Sequence, residues 1–473
     1  MTAITRPLAE FAASLSHTAI PAEVSERARM LILDHVGIAL RARNAADLRE
    51  PMGRGLATLG LGQGNATVIG DGQGYTPGAA ALFNGNLGHA LDFDDTHARA
   101  SLHSGAPIIP AAMAAAEMSK AGGSEVIAGI VAGFEVQTRL SLALGPTDHY
   151  NRGFHPTATC GVFGAAAAAG RVLGLTPDQM VSAFGLCGSL AAGSMQFLAD
   201  GAWNKPFHTG YAAMNGLNAA VMAKEGFRGA AEPIEGRHGF LKGYAPHPRP
   251  EKAVEGLGES WQTMAIALKP YPSCRYGHAA IDALIAIRTE HGVDVDAVES
   301  VEIGLPETGI KLIGDPEEDK QNPKNYVDGQ FSMPFVAAVA LREGRMIWDD
   351  YEKHLKDPQT LALCLRIRTV PHPRVEAEFP ANMSGLATVK MQSGETLEKM
   401  VVIPKGEPDN FLTAEELRAK FDSLTGPYIS AQRRDELADA LLEFHRVEDV
   451  HAVLALAAPE PPAGLKVAGG GHD

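Results

Sequence analysis

The sequence predicts a mainly α protein with an α+β insert, that is, a large all-helical domain and a smaller α+β lid domain. Three observations predict it. From Thr76 to Lys269, apolar residues recur at helical spacing in one segment after another. Near residue 295 the texture changes to the alternation of strands. Helical spacing then returns at "TAEELRAKF" and runs to about Leu456. The helical domain is therefore expected over 1–268 and 404–473, with the lid over 269–403.

Residues 1–45 read as two amphipathic helices. In the second, Val24, Ala28, Leu31, Ile32 and Val36 fall on one face. A glycine-rich interval follows. Its "GLGQGN" precedes the short strand "ATVIG" instead of following one, so it is not read as a dinucleotide loop. "TPDQMVSAFGLCGSL" opens with Thr176, Pro177 and Gln179, a capping box with proline in the first turn. "CGVFGAAAAAGRVLG" is a buried helix packed against other backbones, too short to cross a membrane. In the insert, "VESVEIGLP" alternates as a strand, "GLATVKMQSG" and "TLEKMVVIPKG" form a hairpin, and "SMPFVAAVALREGRM" is helical. Thr413 and Glu416 make a second capping box, and the tail "APEPPAGLKVAGGGHD" reads as disordered. There is no internal repeat, which excludes a solenoid.

A length of 473 residues fits two domains, and a formal net charge of -15 argues against nucleic-acid and anionic-membrane partners. Abundant Gly and Ala predict closely packed helices. Cys160, Cys187, Cys274 and Cys364 fit no zinc or iron–sulfur spacing and suit a reducing compartment. No signal peptide or membrane-spanning run is evident, so a cytoplasmic location is expected.

Four stretches place cations where helices begin. His103 precedes "GAPIIPAAMAAAE", His155 precedes Pro156, Lys205 precedes Pro206, and Lys269, Arg275 and His278 surround the start of "AAIDALIAI". A helix N-terminus carries partial positive charge, so each cation there costs about 0.3–1 kcal/mol. The cost disappears if an anion sits among them, held by backbone N–H groups and charge-assisted bonds. Convergence of the four would make a pocket for a di- or tricarboxylate.

The run "LDFDDTHARASLH" adds carboxylates to this picture. If residues 79–96 form one helix, His89, Asp92 and Thr96 share a face. Asp94 and Asp95 then sit at a C-terminal end that disfavours them, so at least one needs a cationic partner or caps the following turn. The run lacks the DDxxD spacing of diphosphate–magnesium sites, and the histidines lack an HxxxH pair, so no metal is expected. An acid–base role fits better, with Asp92 orienting a histidine and a neutral imidazole at a helix start serving as base.

Taken together, "NGNLGHALDFDDTH…LHSGAPIIPAAMAAAE", "GFHPTATCGVFGAAAAAGRVLGL", "KPFHTGYAAMNGLNAAVMAKEGF" and "KPYPSCRYGHAAID" resemble the MmgE/PrpD family, in order, over about residues 5–455. That family includes 2-methylcitrate dehydratase, cis-aconitate decarboxylase and iminodisuccinate epimerase. The resemblance implies a helical domain with an α+β lid, a homodimer, and chemistry without metal or organic cofactor. By resemblance to the decarboxylases, the active-site residues fall on Asp92, Thr96, His103, His155, Lys205 and Lys269. This chain has His103-Ser104-Gly105 where the family often has His-Pro-Ser. It has Phe335 where the decarboxylases carry a lid tyrosine, which counts against decarboxylation of cis-aconitate.

The expected reaction is therefore a cofactor-independent hydro-lyase step on a hydroxy di- or tricarboxylate, as in 2-methylcitrate dehydration. A proton α to a carboxylate is removed and water is eliminated. His103 and His155 would be base and acid, in an order left open. Asp92, Lys205 and Lys269 complete the catalytic set, and Thr96, Arg275 and His278 bind substrate. Epimerisation of an imino- or amino-dicarboxylate and decarboxylation of cis-aconitate are the alternatives. A non-enzymatic carboxylate binder would need only the positive pocket.

Overall fold

The computed structural model describes residues 3–199 and 201–459. The tail expected to be disordered lies outside them, apart from its first two residues. Buried apolar side chains form two clusters. The larger draws on 4–268 and again on 412–457, and the smaller on 280–397. Mainly helical structure with a smaller β component is what the periodicity predicts.

In the larger cluster, the helix Asn204–Lys224 packs on Pro77–His89, Gly161–Val172, Gly105–Ser119 and Pro177–Leu190. Glycine makes the closest crossing possible. A Cβ on Gly210 would lie 2.1 Å from the Leu82 carbonyl oxygen, and one on Gly85 would lie 2.8 Å from Gly210 Cα. Both capping boxes form, Thr176 with Gln179 and Thr413 with Glu416. The C-terminal helices Ala414–Thr425 and Ala431–Leu442 pack on Ala22–Ala45 near the other end of the chain.

This part is not purely helical. Strands β1 (Ala66–Thr67) and β2 (Gly74–Tyr75) pair, as do β3 (Thr96–His97) and β4 (Ile266–Ala267). The smaller cluster holds a four-stranded sheet of β5 (Val298–Leu305), β6 (Ile367–Pro371), β7 (Gly385–Met391) and β8 (Thr396–Val401). Its order is β6-β5-β7-β8, with β5 and β6 parallel and the other neighbours antiparallel. Helices His278–His291 and Met333–Glu343 complete this unit.

One helix, Gly123–Leu144, has the length and apolar character to cross a membrane, which the sequence reading passed over. Its most apolar window is 94% buried within the protein. Its charges are also paired inside, Arg139 Nε with Glu135 Oε2 at 3.0 Å.

Candidate acid–base site

The helix expected over 79–96 stops at His89. Beyond it, Asp92 takes a left-handed conformation with φ 50°, unusual for a residue with a Cβ. The carboxylates explain the stop. At a helix C-terminus they would face the negative end of the dipole. In the loop they find donors instead. Asp95 accepts hydrogen bonds from the Ser104 and Gly105 N–H groups at 2.8 and 2.9 Å, holding the start of the next helix. Burial, with Asp94 nearby, still pushes its carboxyl up to about 7.

Asp92 is the hub of the lysines. Lys205, in the first turn of Asn204–Lys224, places Nζ 2.6 Å from Oδ1. Lys269 Nζ lies 3.1 Å from Oδ2 and donates to the Asp92 carbonyl at 2.6 Å. Burial opposes ionisation of Asp92, but the two ammonium groups outweigh it and hold the carboxyl well below its ordinary range. Lys205 is raised in turn, its desolvation overcome by Asp92. Two lysines on one carboxylate leave one net positive charge. The sequence argument supplied an external anion to these cations; the fold supplies an internal one first.

Asp94 is the hub of the histidines. His89 Nδ1 lies 2.7 Å and His103 Nδ1 3.2 Å from Asp94 Oδ2. The two rings stand edge to face with centroids 4.4 Å apart. Burial disfavours the Asp94 carboxylate, but His103 and His89 reverse this and lower it well below the usual value. His89 is itself pushed down to about 4 by burial, against the pull of Asp94. The histidine-orienting carboxylate is therefore Asp94, and Asp92 serves the lysines. Asp94, His89 and His103 also have ligand atoms within 4.8 Å of one another, so this trio has the spacing to hold a metal ion.

His155 caps the start of a short helix, and its ring centroid lies 6.2 Å from that of His89. Its Nδ1 is 3.3 Å from Nδ1 of His208. Its Nε2 is buried without a hydrogen-bond partner among the described residues. Burial, then the neighbouring His89, Lys205 and His103, lower this imidazole well below its ordinary value and keep it neutral. Thr96 sits on β3 opposite Ala267 of β4, and its buried hydroxyl has no partner among the described residues. That pairing sets Thr96 beside the chain that leads to Lys269. The centre is closed at the back and open at one side: side-chain exposure is 30% for Lys205, 18% for Asp92 and 13% for His103, against 3% for Asp94.

Asp92, His103, His155, Lys205 and Lys269 thus lie around one centre, and Thr96 pairs with Ala267, two residues before Lys269. Arg275 and His278 are engaged elsewhere. Arg275 grips Glu407 with two nitrogens, Nε at 2.6 Å, beside a cavity of about 430 Å³ lined also by His97 and Arg99. His278 is buried with Nε2 3.2 Å from the Ser273 carbonyl, and burial with nearby Lys269 pushes it down to about 3. Sequence reasoning did not place Asp94 beside His103 and did not single out His208. The signal for His208 is its spacing, one helical turn after Lys205.

A helical body with an inserted sheet thus holds lysine–aspartate and histidine–aspartate pairs side by side, groups suited to acid–base chemistry. The chain belongs to the MmgE/PrpD family: the N-terminal domain of that family matches residues 6–253 and the C-terminal domain residues 271–443. It is 30% identical to the cis-aconitate decarboxylase-like protein oryM of Aspergillus oryzae, over 97% of this chain and 98% of that one. It is 28% identical to the cis-aconitate decarboxylase of Aspergillus terreus, with 96% and 95% covered. With the human cis-aconitate decarboxylase it shares 25% identity over 82% and 80% of the two chains.

Proposed function

We propose that this protein is a lyase for a di- or tricarboxylate and that its reaction is decarboxylation of an unsaturated tricarboxylate of the cis-aconitate kind. The observation that carries this reading is the Asp92–Lys205–Lys269 cluster, with one net positive charge, beside His103 and His155. When a carboxylate leaves as carbon dioxide, the electron pair of the broken C–C bond passes into the remaining unsaturated acid. Fixed ammonium groups stabilise that developing charge in a partly dewatered site. A histidine then delivers a proton to carbon, a step worth roughly 10²–10⁴ in rate. The names of the relatives favour this outcome over the dehydration that the sequence alone put first.

A second reading, dehydration of a hydroxy tricarboxylate such as 2-methylcitrate, is favoured by one residue. Phe335 offers no hydroxyl where the resemblance to the decarboxylases implies a lid tyrosine, and its buried ring stacks on Tyr351 with centroids 5.8 Å apart. Incubation with cis-aconitate, citrate, 2-methylcitrate and iminodisuccinate in heavy water, followed by proton NMR, separates the readings. Carbon dioxide with one deuterium in the product supports decarboxylation. A new alkene without loss of carbon supports dehydration. Exchange at Cα without net conversion supports epimerisation. Binding without exchange or turnover overturns all three.

A further inference from the structure

We propose that His208 is a proton relay for His155, which assigns His155 as the group that protonates the substrate and leaves His103 as the Asp94-oriented base. The inference rests on the lyase reading above.

The two Nδ1 atoms are 3.3 Å apart, so one proton lies between them. If His155 held it, its Nε2 would face the centre as a bare acceptor. If His208 holds it, His155 carries its proton on Nε2 and faces the centre as a donor. Environment decides. At His155, burial is joined by His89, Lys205, His103 and His208, all of which oppose an imidazolium. At His208 burial alone lowers the imidazole, and 9% of the residue remains exposed against 1% for His155. Of the two rings, His208 is therefore the one that accepts an added proton more readily. A protonated His208 can only donate at Nδ1, which fixes His155 as the Nε2–H form.

This arrangement answers a chemical difficulty. A neutral imidazole is a poor acid, and a cationic one is disfavoured beside Lys205. In a coupled transfer the Nε2 proton of His155 moves to the substrate carbon while the Nδ1 proton of His208 moves to His155 Nδ1. His155 stays neutral, His208 loses the charge, and the substrate carbon takes up one proton to replace the bond to the departing carbon dioxide. The pair resets when the Nδ1 proton of His155 passes back to His208 while His155 Nε2 takes one proton from solvent admitted to the centre, so that one solvent proton replaces the one delivered to carbon. Phe197 lies against both rings, at 6.2 Å from His155 and 5.8 Å from His208, and covers the contact.

His208→Asn keeps a hydrogen-bonding atom near the Nδ1 position but cannot carry a proton. The expected result is a fall in kcat of about 10²-fold with KM changed less than about threefold. In His208→Ala, added imidazole should restore turnover in a saturable manner. Wild-type kcat in His208→Asn, or no rescue of His208→Ala, overturns the relay. Should both variants fail to fold, nitrogen-15 NMR of the wild-type protein decides. A His155 proton on Nε2 supports the proposal, and a proton fixed on Nδ1 overturns it. That measurement needs no substrate, so a protein that turns over none of the acids would sink the lyase reading and still leave the histidine pair judged.

Discussion

Asp94 serves two imidazoles at once through Oδ2. Asp94→Asn keeps the shape but replaces the anion, so His103 loses the carboxylate that orients it. The expected loss is about 10²–10⁴ in kcat, measured under saturating acid, with the fold unchanged by circular dichroism. Lys205→Met tests the other hub. It removes one of the two cations on Asp92 and with it the net positive charge of the centre, so KM should rise along with a fall in kcat. Chelation is a third test, because the His89–Asp94–His103 trio has ligand spacing. On the lyase reading, prolonged treatment with a chelator should leave turnover unchanged, and a loss restored by a divalent ion would give that trio a metal.

Elements hold these residues in place by contacts that lie far apart in the chain. Lys420, on helix Ala414–Thr425, pairs with Asp34 at 2.6 Å and donates to the carbonyls of Phe93 and Lys269 at 3.0 and 2.9 Å. It therefore ties together the two segments that carry Asp92 and Lys269. Lys420→Met strands a buried Asp34 and should destabilise the protein by about 3–5 kcal/mol, read from denaturant unfolding. Adding Asp34→Asn should recover part of that stability and less of the activity, because the two carbonyls stay untethered. Gly210→Ala is a separate test of the helix crossing. The new methyl would meet the Leu82 carbonyl at 2.1 Å, and an overpacked contact costs about 1–3 kcal/mol. These dependencies mark what could be read in advance. The capping boxes at Thr176 and Thr413 were legible because all their partners lie within one turn. The hairpin of β7 and β8 was legible because it alternates and its strands are neighbours. Strand β6 was missed: "IRTVP" is short, ends in proline, and pairs in parallel with a strand some sixty residues earlier. The loop after His89 was missed because Lys269 and Lys205, distant in sequence, set the conformation of Asp92. The cations at helix starts were legible as residues out of place, whereas their internal partner was not.

At the scale of the whole molecule, buried imidazoles dominate the response to acid. His35, His89 and His97 are pushed to about 4 and His278 to about 3, all mainly by burial. Each sits below its unfolded value of 6.5, so between those values the unfolded chain binds more protons. Their contribution is full above about pH 6.5 and is lost as pH falls. Asp34 and Asp95, raised to about 6 and about 7 by burial, act in the opposite direction over 3.8 to 7. These four imidazoles, joined by His155, outweigh the two carboxyls, so the melting temperature should drop between pH 7 and pH 5. Scanning calorimetry across that range checks the sign, and a midpoint that rises on acidification would show that the carboxyls win.

The tether from Lys420 also has a consequence for biosynthesis. The loop bearing Asp92 leaves the ribosome more than three hundred residues before the helix that steadies it. Until Ala414–Thr425 is translated and docks against Ala22–Ala45, Asp34 has no ammonium partner and the carbonyls of Phe93 and Lys269 have nothing to bridge them. A nascent chain arrested before that helix would bury hydrophobic surface yet lack an assembled reaction centre, so competence would arrive as one late event of translation.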